Sequence, residues 1–398
     1  MPADFARRAA WFGFFAALTS GAGQTYFIGL FGEPLRTALG LSEGQLGMVY
    51  GVATLISGSL MFWLGAVADR LSLPRAAMLA LGCMGVGAGL LATATHPLML
   101  LPAFLLLRLG GQGLCGHIAI VAAARHADAR RGRALSIAAF GFIVGEAMWP
   151  LVITASLDLL PWRMVWAATA GVVLLAGVPL LAGMARPLPQ PAHTAGDTQA
   201  PSLLRIELLR MPRFRAALAV VLLPPFIITA LFFHQSSIGG IKGWSLADIA
   251  PAFAVFAVTQ ALANWLTGRA IDRIGSVAVL RYQILPLVPA LLALVWLPPA
   301  AGPWLVFALL GMMSGANQVN AGALWAELFG TQQMGKVRGV AAAIMVLTTA
   351  IAPPLLGLAL DAGIPLLLWC VPLAIYSALA PQLACRVIAR HQSATPPP

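Results

Sequence analysis

Charge is what this chain has least of. Only 9% of its 398 residues are Asp, Glu, Lys or Arg, against 60% hydrophobic, and the mean hydropathy is +0.87. A water-soluble domain carries about a quarter of its residues as charges, so an ordinary soluble fold is excluded. Cysteine is scarce as well: Cys83, Cys115, Cys370 and Cys385 fall in or beside apolar stretches, with no C-x-x-C pair and no metal-ligand spacing. Neither a disulfide scaffold nor a metal site is expected. There is no G-x-x-x-x-G-K-[ST] loop and no connection long enough for a nucleotide-binding domain. That excludes an ATP-driven pump; no cofactor is expected, and energy has to come from an ion gradient.

What the chain does have is apolar runs. Read between their punctuation, they predict helices near 10–32, 45–67, 75–95, 98–123, 134–157, 163–184, 216–238, 247–268, 277–298, 303–328, 338–360 and 364–386. A helical span takes ~20 apolar residues, and the chain is long enough for twelve with short connections. The fold class is therefore an all-α membrane protein with 12 transmembrane helices. The first span follows only Arg7 and Arg8 and lacks a small-residue cleavage pattern, so it is expected to remain in place.

A formal charge of +11 and a pI near 10.7 would point to nucleic acid in a soluble protein. The location of the basic residues decides otherwise. With the N-terminus inside, 19 of the 24 Lys and Arg fall on the inner side, 3 outside (Arg36, Arg163, Lys242) and 2 within spans (Arg108, Arg281). Short loops retain basic residues on the cytoplasmic side, so both termini are expected to be cytoplasmic, in a prokaryotic inner membrane. No basic patch is interleaved with aromatics, and no nucleic-acid partner is expected. The polar, proline-rich stretch 185–213 reads as a cytoplasmic linker between bundles at 1–184 and 214–398, with a short amphipathic helix over Leu203 to Leu209.

A shift of 203 residues superimposes Gly65-x-x-x-Asp69-Arg70 on Gly268-x-x-x-Asp272-Arg273, and also Pro150 on Pro353, Ser42 on Ser245 and His117 on Asn320. One offset holding over about 110 residues without a gap predicts two six-helix pseudo-repeats. Parallel repeats of this kind place a solute site between the halves near the bilayer midplane.

The loop after the second span reads Gly65-Ala-Val-Ala-Asp69-Arg70-Leu-Ser-Leu-Pro-Arg75, and the fourth span Arg108-Leu-Gly-Gly-Gln112-Gly-Leu-Cys-Gly-His117. With the loop copy at Gly268 to Gly275, these stretches resemble the major facilitator superfamily over essentially the whole chain. Ser72 replaces the second glycine of the family's loop motif, whereas Gly275 keeps it in the copy. Within the family, Gly23-Gln24-Thr25-Tyr26-Phe27, Arg131-Gly132-Arg133-Ala134 and Ala326-Glu327-Leu328-Phe329-Gly330-Thr331 look loosely similar to bacterial monocarboxylate and organic-anion porters. The resemblance implies a transporter, and it implies that Asp69, Arg70, Asp272 and Arg273 clamp the cytoplasmic side against Arg133, Lys336 and Arg338. The fifth span, Gly141-x-x-x-Gly145-Glu146-Ala-Met-Trp-Pro150, lacks the proline and trailing glycines of the family's antiporter motif. This counts against a multidrug antiporter.

Charge inside hydrocarbon costs at least ~2.5 kcal/mol for Arg at a helix centre, so buried ionisable residues are informative. Arg108 sits about 15 Å into its span and Glu146 about 18 Å into the next, at 1.5 Å per residue, which sets them at matching height on antiparallel neighbours. They are expected to form a membrane-embedded pair in which Arg108 receives an anionic group and Glu146 takes a proton; the alternative is a structural salt bridge. His117 is a second candidate proton carrier, but nine residues at 100° each put it on the opposite face from Arg108. Gln24 and Tyr26, a polar interruption in span one, are expected to line the cavity with Gln112, which shares the Arg108 face. Asn317 and Asn320, three apart on one face, either line it or bridge helices.

The sequence therefore predicts a proton-coupled secondary transporter of a small, anionic organic solute, acting as a monomer in the lipid bilayer. Two other readings carry less support. A proton-antiporting exporter of amphipathic compounds would use apolar lining such as Trp149 and Trp325. An embedded enzyme would need a convergent nucleophile and base, and none has suitable spacing.

Overall fold

The computed structural model describes residues 3–126, 131–188, 203–330 and 333–392. Described residues fold into helices without strands, arranged as twelve rods and one short helix, Leu203–Arg210, in the connection between the sixth and seventh. The first six rods are 3–39, Glu43–Arg70, Leu73–Ala92, Pro97–Arg125, Arg131–Leu159 and Trp162–Ala185; the last six are 212–242, Leu246–Ile274, 276–296, Gly302–Phe329, Met334–Asp361 and Leu366–Gln392. We call them spans one to twelve.

The internal repeat appears in the helix starts. Glu43, Leu73 and Arg131 open spans two, three and five, and the residues 203 positions later, Leu246, Ser276 and Met334, open spans eight, nine and eleven. The punctuation agrees too: Ser42 and Ser245 each accept a backbone N–H three residues on, from Gln45 and Asp248. A hydroxyl before the first turn satisfies one of the amides that a helix start leaves without a partner.

Nine of the described helices are long and apolar enough to cross a membrane. Their outward faces carry large apolar side chains such as Phe62, Trp63, Leu175, Leu262 and Leu368. In water such a belt would be an aggregation hazard; in lipid it is the solvated surface, and the chain is a multi-pass membrane protein.

Spans one, four and seven are not regular α-helices throughout. Span one gives way to a tight 3-10 turn at Ser20–Gly23, followed by an extended Gln24 (φ −88°, ψ 153°), then resumes at Thr25. A Cβ on Gly23 would fall 2.1 Å from the Leu107 carbonyl oxygen, so span one crosses span four where only glycine fits. Span seven breaks at Leu222, just before Pro224 and Pro225, and again at His234. Proline withholds its N–H and clashes with the preceding turn. Span four widens into a π-helix over Arg108–Cys115, where a two-glycine stretch meets the crossing with span one. π segments inside α-helices recur at functional sites.

The halves meet along two seams, span two on span eleven and span five on span eight. On span two the seam is a row of glycines: Gly47, Gly51 and Gly58 lie against the Pro353 carbonyl, the Ala350 carbonyl and the Val346 side chain. Small residues let membrane helices approach backbone to backbone, where dispersion and packing rather than the hydrophobic effect hold them. A Cβ at Gly51 would meet the Ala350 oxygen at 2.4 Å, whereas one at Gly82 meets nothing within 4 Å. Gly51→Leu is therefore expected to destabilise the purified protein by about 1–3 kcal/mol, with a lowered melting temperature in detergent, and Gly82→Ala to leave it unchanged.

Candidate functional site

Between the halves lies a cavity of about 720 Å³. Its first-half wall is polar: Gln24, Thr25 and Tyr26 from span one, Thr54 and Ser57 from span two, Arg108 and Gln112 from span four, and Glu146 from span five. The opposite wall is more apolar, with Pro224, Pro225, Ile228 and Phe232 of span seven and Trp325 of span ten, relieved by Gln260, Ser314, Asn317 and Thr349. Arg108, Glu146 and Arg338 are the charged residues of this lining. The cavity runs from mid-depth toward Arg338, near the start of span eleven, on the face that carries both ends of the described chain.

Arg108 begins the π-helix of span four and is 4% exposed. Its Nη1 donates to Thr25 Oγ1 at 3.3 Å, Thr25 Oγ1 shares a 2.7 Å hydrogen bond with the Tyr50 hydroxyl, and the guanidinium lies 5.1 Å from the Tyr50 ring centroid. Buried Arg108 Nε has no partner. Glu146 has a buried Oε2 without a partner. The two line one cavity, but no ion pair joins them among the described residues. Arg108 is instead held by neutral hydroxyls and an aromatic face, which orient it without cancelling its charge. The cavity wall therefore offers donor capacity at Arg108 Nε that the described residues leave unused.

Of the other sequence candidates, Gln24, Tyr26, Gln112 and Asn317 line the cavity. Asn317 is also committed structurally, accepting from Gln283 Nε2 at 2.9 Å and donating to the Val221 carbonyl at 3.3 Å. Asn320 is wholly buried behind the wall, donating to the Ser276 carbonyl at 3.1 Å and to Gln283. The i, i+3 spacing was met, but the wall's edge passes between the two amides because span nine brings Gln283 to both. His117 is partly buried in span four beyond the π-helix and is not among the lining residues. The expected half-turn between it and Arg108 assumes 100° per residue, and a π-helix, bonded i to i+5, turns less per residue.

On the face carrying the chain ends, Arg70, Arg133, Asp272, Arg273 and Arg338 are exposed, and no ion pair links Asp272 to any described basic residue. The Asp69 side chain lies outside the described residues. Among the described residues, the second-half copy of the implied clamp therefore makes no ion pair at Asp272.

The opposite face is shut by contacts that cross from one half to the other. Asp361, ending span eleven, accepts from the backbone N–H of Glu43 (2.9 Å) and Gly44 (2.8 Å) and from Ser42 Oγ (2.6 Å), capping span two. His234, at the second break of span seven, bridges Glu43 Oε2 (3.0 Å) and the Pro353 carbonyl (2.8 Å). Arg36 Nη2 meets Glu43 Oε1 at 2.9 Å, and Ser237 donates to the same oxygen. Gln235 Nε2 and Ser236 Oγ donate to the carbonyls of Tyr26 (2.7 Å) and Gly29 (3.0 Å). Broken spans expose side chains and carbonyls that an unbroken helix would pair internally, and here each half's break serves the other.

A bundle of paired six-helix halves with a polar pocket between them, sealed on one face and open on the other, is the geometry of alternating access. The Major Facilitator Superfamily model matches residues 13–353. The chain belongs to the Major Facilitator Superfamily. Among solved structures it is similar to the nucleoside transporter NupG (14% identity, TM-score 0.72, 96% of this chain and 99% of that one). It is also similar to a bacterial homologue of the human lysosomal transporter Spinster in an inward-facing, unoccupied conformation (15% identity, TM-score 0.69, 98% and 95%). Comparison with curated protein sequences gives no match. This superfamily member is a transporter, not an enzyme, with the fold's secondary transport by alternating access.

Sequence reasoning missed Tyr50, Thr54 and Ser57, which form the hydroxyl face of span two. Their i, i+4, i+7 spacing was a readable signal. It missed Glu43 and Asp361 because charges near predicted helix ends look like solvated termini. The asymmetry of the closed face is open to test. Asp158, the repeat counterpart of Asp361, is exposed and makes no hydrogen bond among the described residues. Asp361→Ala is expected to cost about 0.5–2 kcal/mol, the usual value of a lost cap, read as a lowered melting temperature, and Asp158→Ala to change nothing.

Proposed function

We propose that this superfamily member carries a small organic anion of the carboxylate class together with protons, across a prokaryotic inner membrane, with both termini cytoplasmic and the cavity described above facing inward. The observation that carries the reading is Arg108: a buried guanidinium in the cavity wall with an unpartnered Nε and, among the described residues, no carboxylate in ion-pair contact. A guanidinium keeps its charge and presents a planar fork that matches a carboxylate. A bound anion supplies the counter-charge that the protein withholds, while the solute's apolar part meets Phe232, Ile228 and Trp325 across the cavity. Glu146, in the same wall, is the group that takes the proton, since its Oε2 is not engaged by any described donor.

The same apolar wall supports a second reading, the export of amphipathic compounds in exchange for protons. The two part at Arg108, because a fixed cation favours an anionic head and disfavours a cationic one.

Thermal-shift screening of the purified protein against small carboxylates, amino acids and cationic amphiphiles separates them. Carboxylates are expected to stabilise the wild type, by about 2.7 kcal/mol at a hundredfold excess over Kd, and to give no shift with Arg108→Met. In proteoliposomes, Glu146→Gln is expected to retain solute exchange while losing accumulation driven by a pH gradient. Stabilisation by cationic amphiphiles that survives Arg108→Met would reverse the assignment.

A further inference from the structure

The hydrogen bonds around His234 can be counted for protons. Its ring is buried at the second break of span seven, with the side chain 1% exposed and both ring nitrogens engaged. Nε2 lies 2.8 Å from the Pro353 carbonyl oxygen, which only accepts, so Nε2 carries a hydrogen. Nδ1 lies 3.0 Å from Glu43 Oε2. With its hydrogen on Nε2, a neutral imidazole presents a lone pair at Nδ1, and an ionised carboxylate presents lone pairs as well. Two acceptors at this distance repel. One further proton is therefore needed between them, on Nδ1 or on Oε2.

The surrounding groups hold Glu43 in place. Arg36, from helix Gly32–Leu39, pairs with its other oxygen at 2.9 Å, and Ser237 donates to that same oxygen. Asp361, from span eleven, takes the Glu43 backbone N–H rather than its side chain. Tyr50, two turns along span two, is occupied by Thr25. Lys242, on the helix that follows His234, is turned to the Val295 carbonyl at 2.8 Å. Glu33, beside Arg36 on its helix, is exposed and in no ion pair among the described residues. Among the described residues, no other base is hydrogen-bonded to the His234 ring or to the Glu43 carboxylate.

We propose that the His234–Glu43 contact is a proton-binding site outside the central cavity, a latch that takes one proton from the outer solution when the outer face closes and returns it when that face opens. It rests on the preceding reading only in taking this face as outer. The contact joins span seven and span eleven of the second half to span two of the first, so parting the halves separates Nδ1 from Oε2 and exposes both to water. Apart, the two acceptors no longer repel and neither needs the shared proton, so the open face binds that proton less tightly than the closed one. By linkage the closed-to-open ratio then falls up to about tenfold for each unit rise in pH, and acidity favours closure. No covalent bond other than that to this proton is made or broken.

The test uses the full chain in lipid nanodiscs, with native cysteines replaced and nitroxides placed on Ala38→Cys and Ala362→Cys, one on each half at the outer mouth. Pulsed EPR distances are recorded from pH 5.5 to 9 with no solute added. In the otherwise unmodified protein the short-distance population is expected to fall with rising pH. Glu43→Gln supplies a permanent N–H to Nδ1 and is expected to stay closed throughout. His234→Ala is expected to be shifted to the open distance with no pH slope. Glu146→Gln is expected to keep the unmodified slope. A pH-independent distribution in the unmodified protein, or an equal slope in Glu43→Gln, would overturn the latch, as would a slope lost only with Glu146→Gln. Because no solute enters the measurement and Arg108 is untouched, none of these results bears on the anion reading.

Discussion

A guanidinium held deep in a membrane bundle is the constraint around which this molecule is arranged. Taking a cation out of water is among the most expensive things a fold can do, and among the described residues no carboxylate forms an ion pair with Arg108. Thr25 accepts one hydrogen bond, Tyr50 supplies a π face, and the remainder faces a cavity wide enough for solvent or solute. Structure elsewhere follows from this. The glycines at 23 and 111 let spans one and four cross closely enough to set Thr25 beside the guanidinium, and the π-helix sets the angle at which Arg108 enters the wall.

The two faces of the bundle differ in what holds them. On the face opposite the chain ends, a glycine row brings the backbones of spans two and eleven together, and directional hydrogen bonds from Asp361, His234, Gln235 and Ser236 fix the halves against one another. Most of those bonds end on backbone groups that a cap or a broken helix has released. On the other face Arg70, Arg133, Arg273 and Arg338 are exposed. Contacts that are short-ranged and directional lose their energy over a small displacement, so a rocking motion that parts them has two discrete ends rather than a continuum.

Much of this was legible in the residues. Hydropathy gives the spans because lipid forces every backbone polar group to be paired within its own helix, and the 203-residue offset gives the halves because a duplicated bundle keeps its caps, as Ser42 and Ser245 do. Arg108 and Glu146 were conspicuous for the cost of placing them in hydrocarbon. The breaks in spans one and seven were harder to read: Pro224 and Pro225 marked one, but the extended Gln24 reflects a crossing with span four that no local pattern records. The clearest differences lie at Asn320 and at the Arg108–Glu146 pair, where regular helix geometry set the right height but not the partner.

Alone, the sequence determined that the chain lives in a bilayer, that it is built twice over, and which charges stand out within it, since these depend on composition, on periodicity and on the energetic penalty of burying charge. Only the tertiary structure decided what those charges touch. Glu43, Pro353 and His234 are far apart along the chain, and nothing in their own segments pairs them; they become one site because two halves lean together on a single face. Partner choice inside a membrane is set by which backbones come within hydrogen-bond reach, a few ångströms fixed by glycine contacts and helix breaks, and that distance is written in the packing rather than in any one stretch of residues.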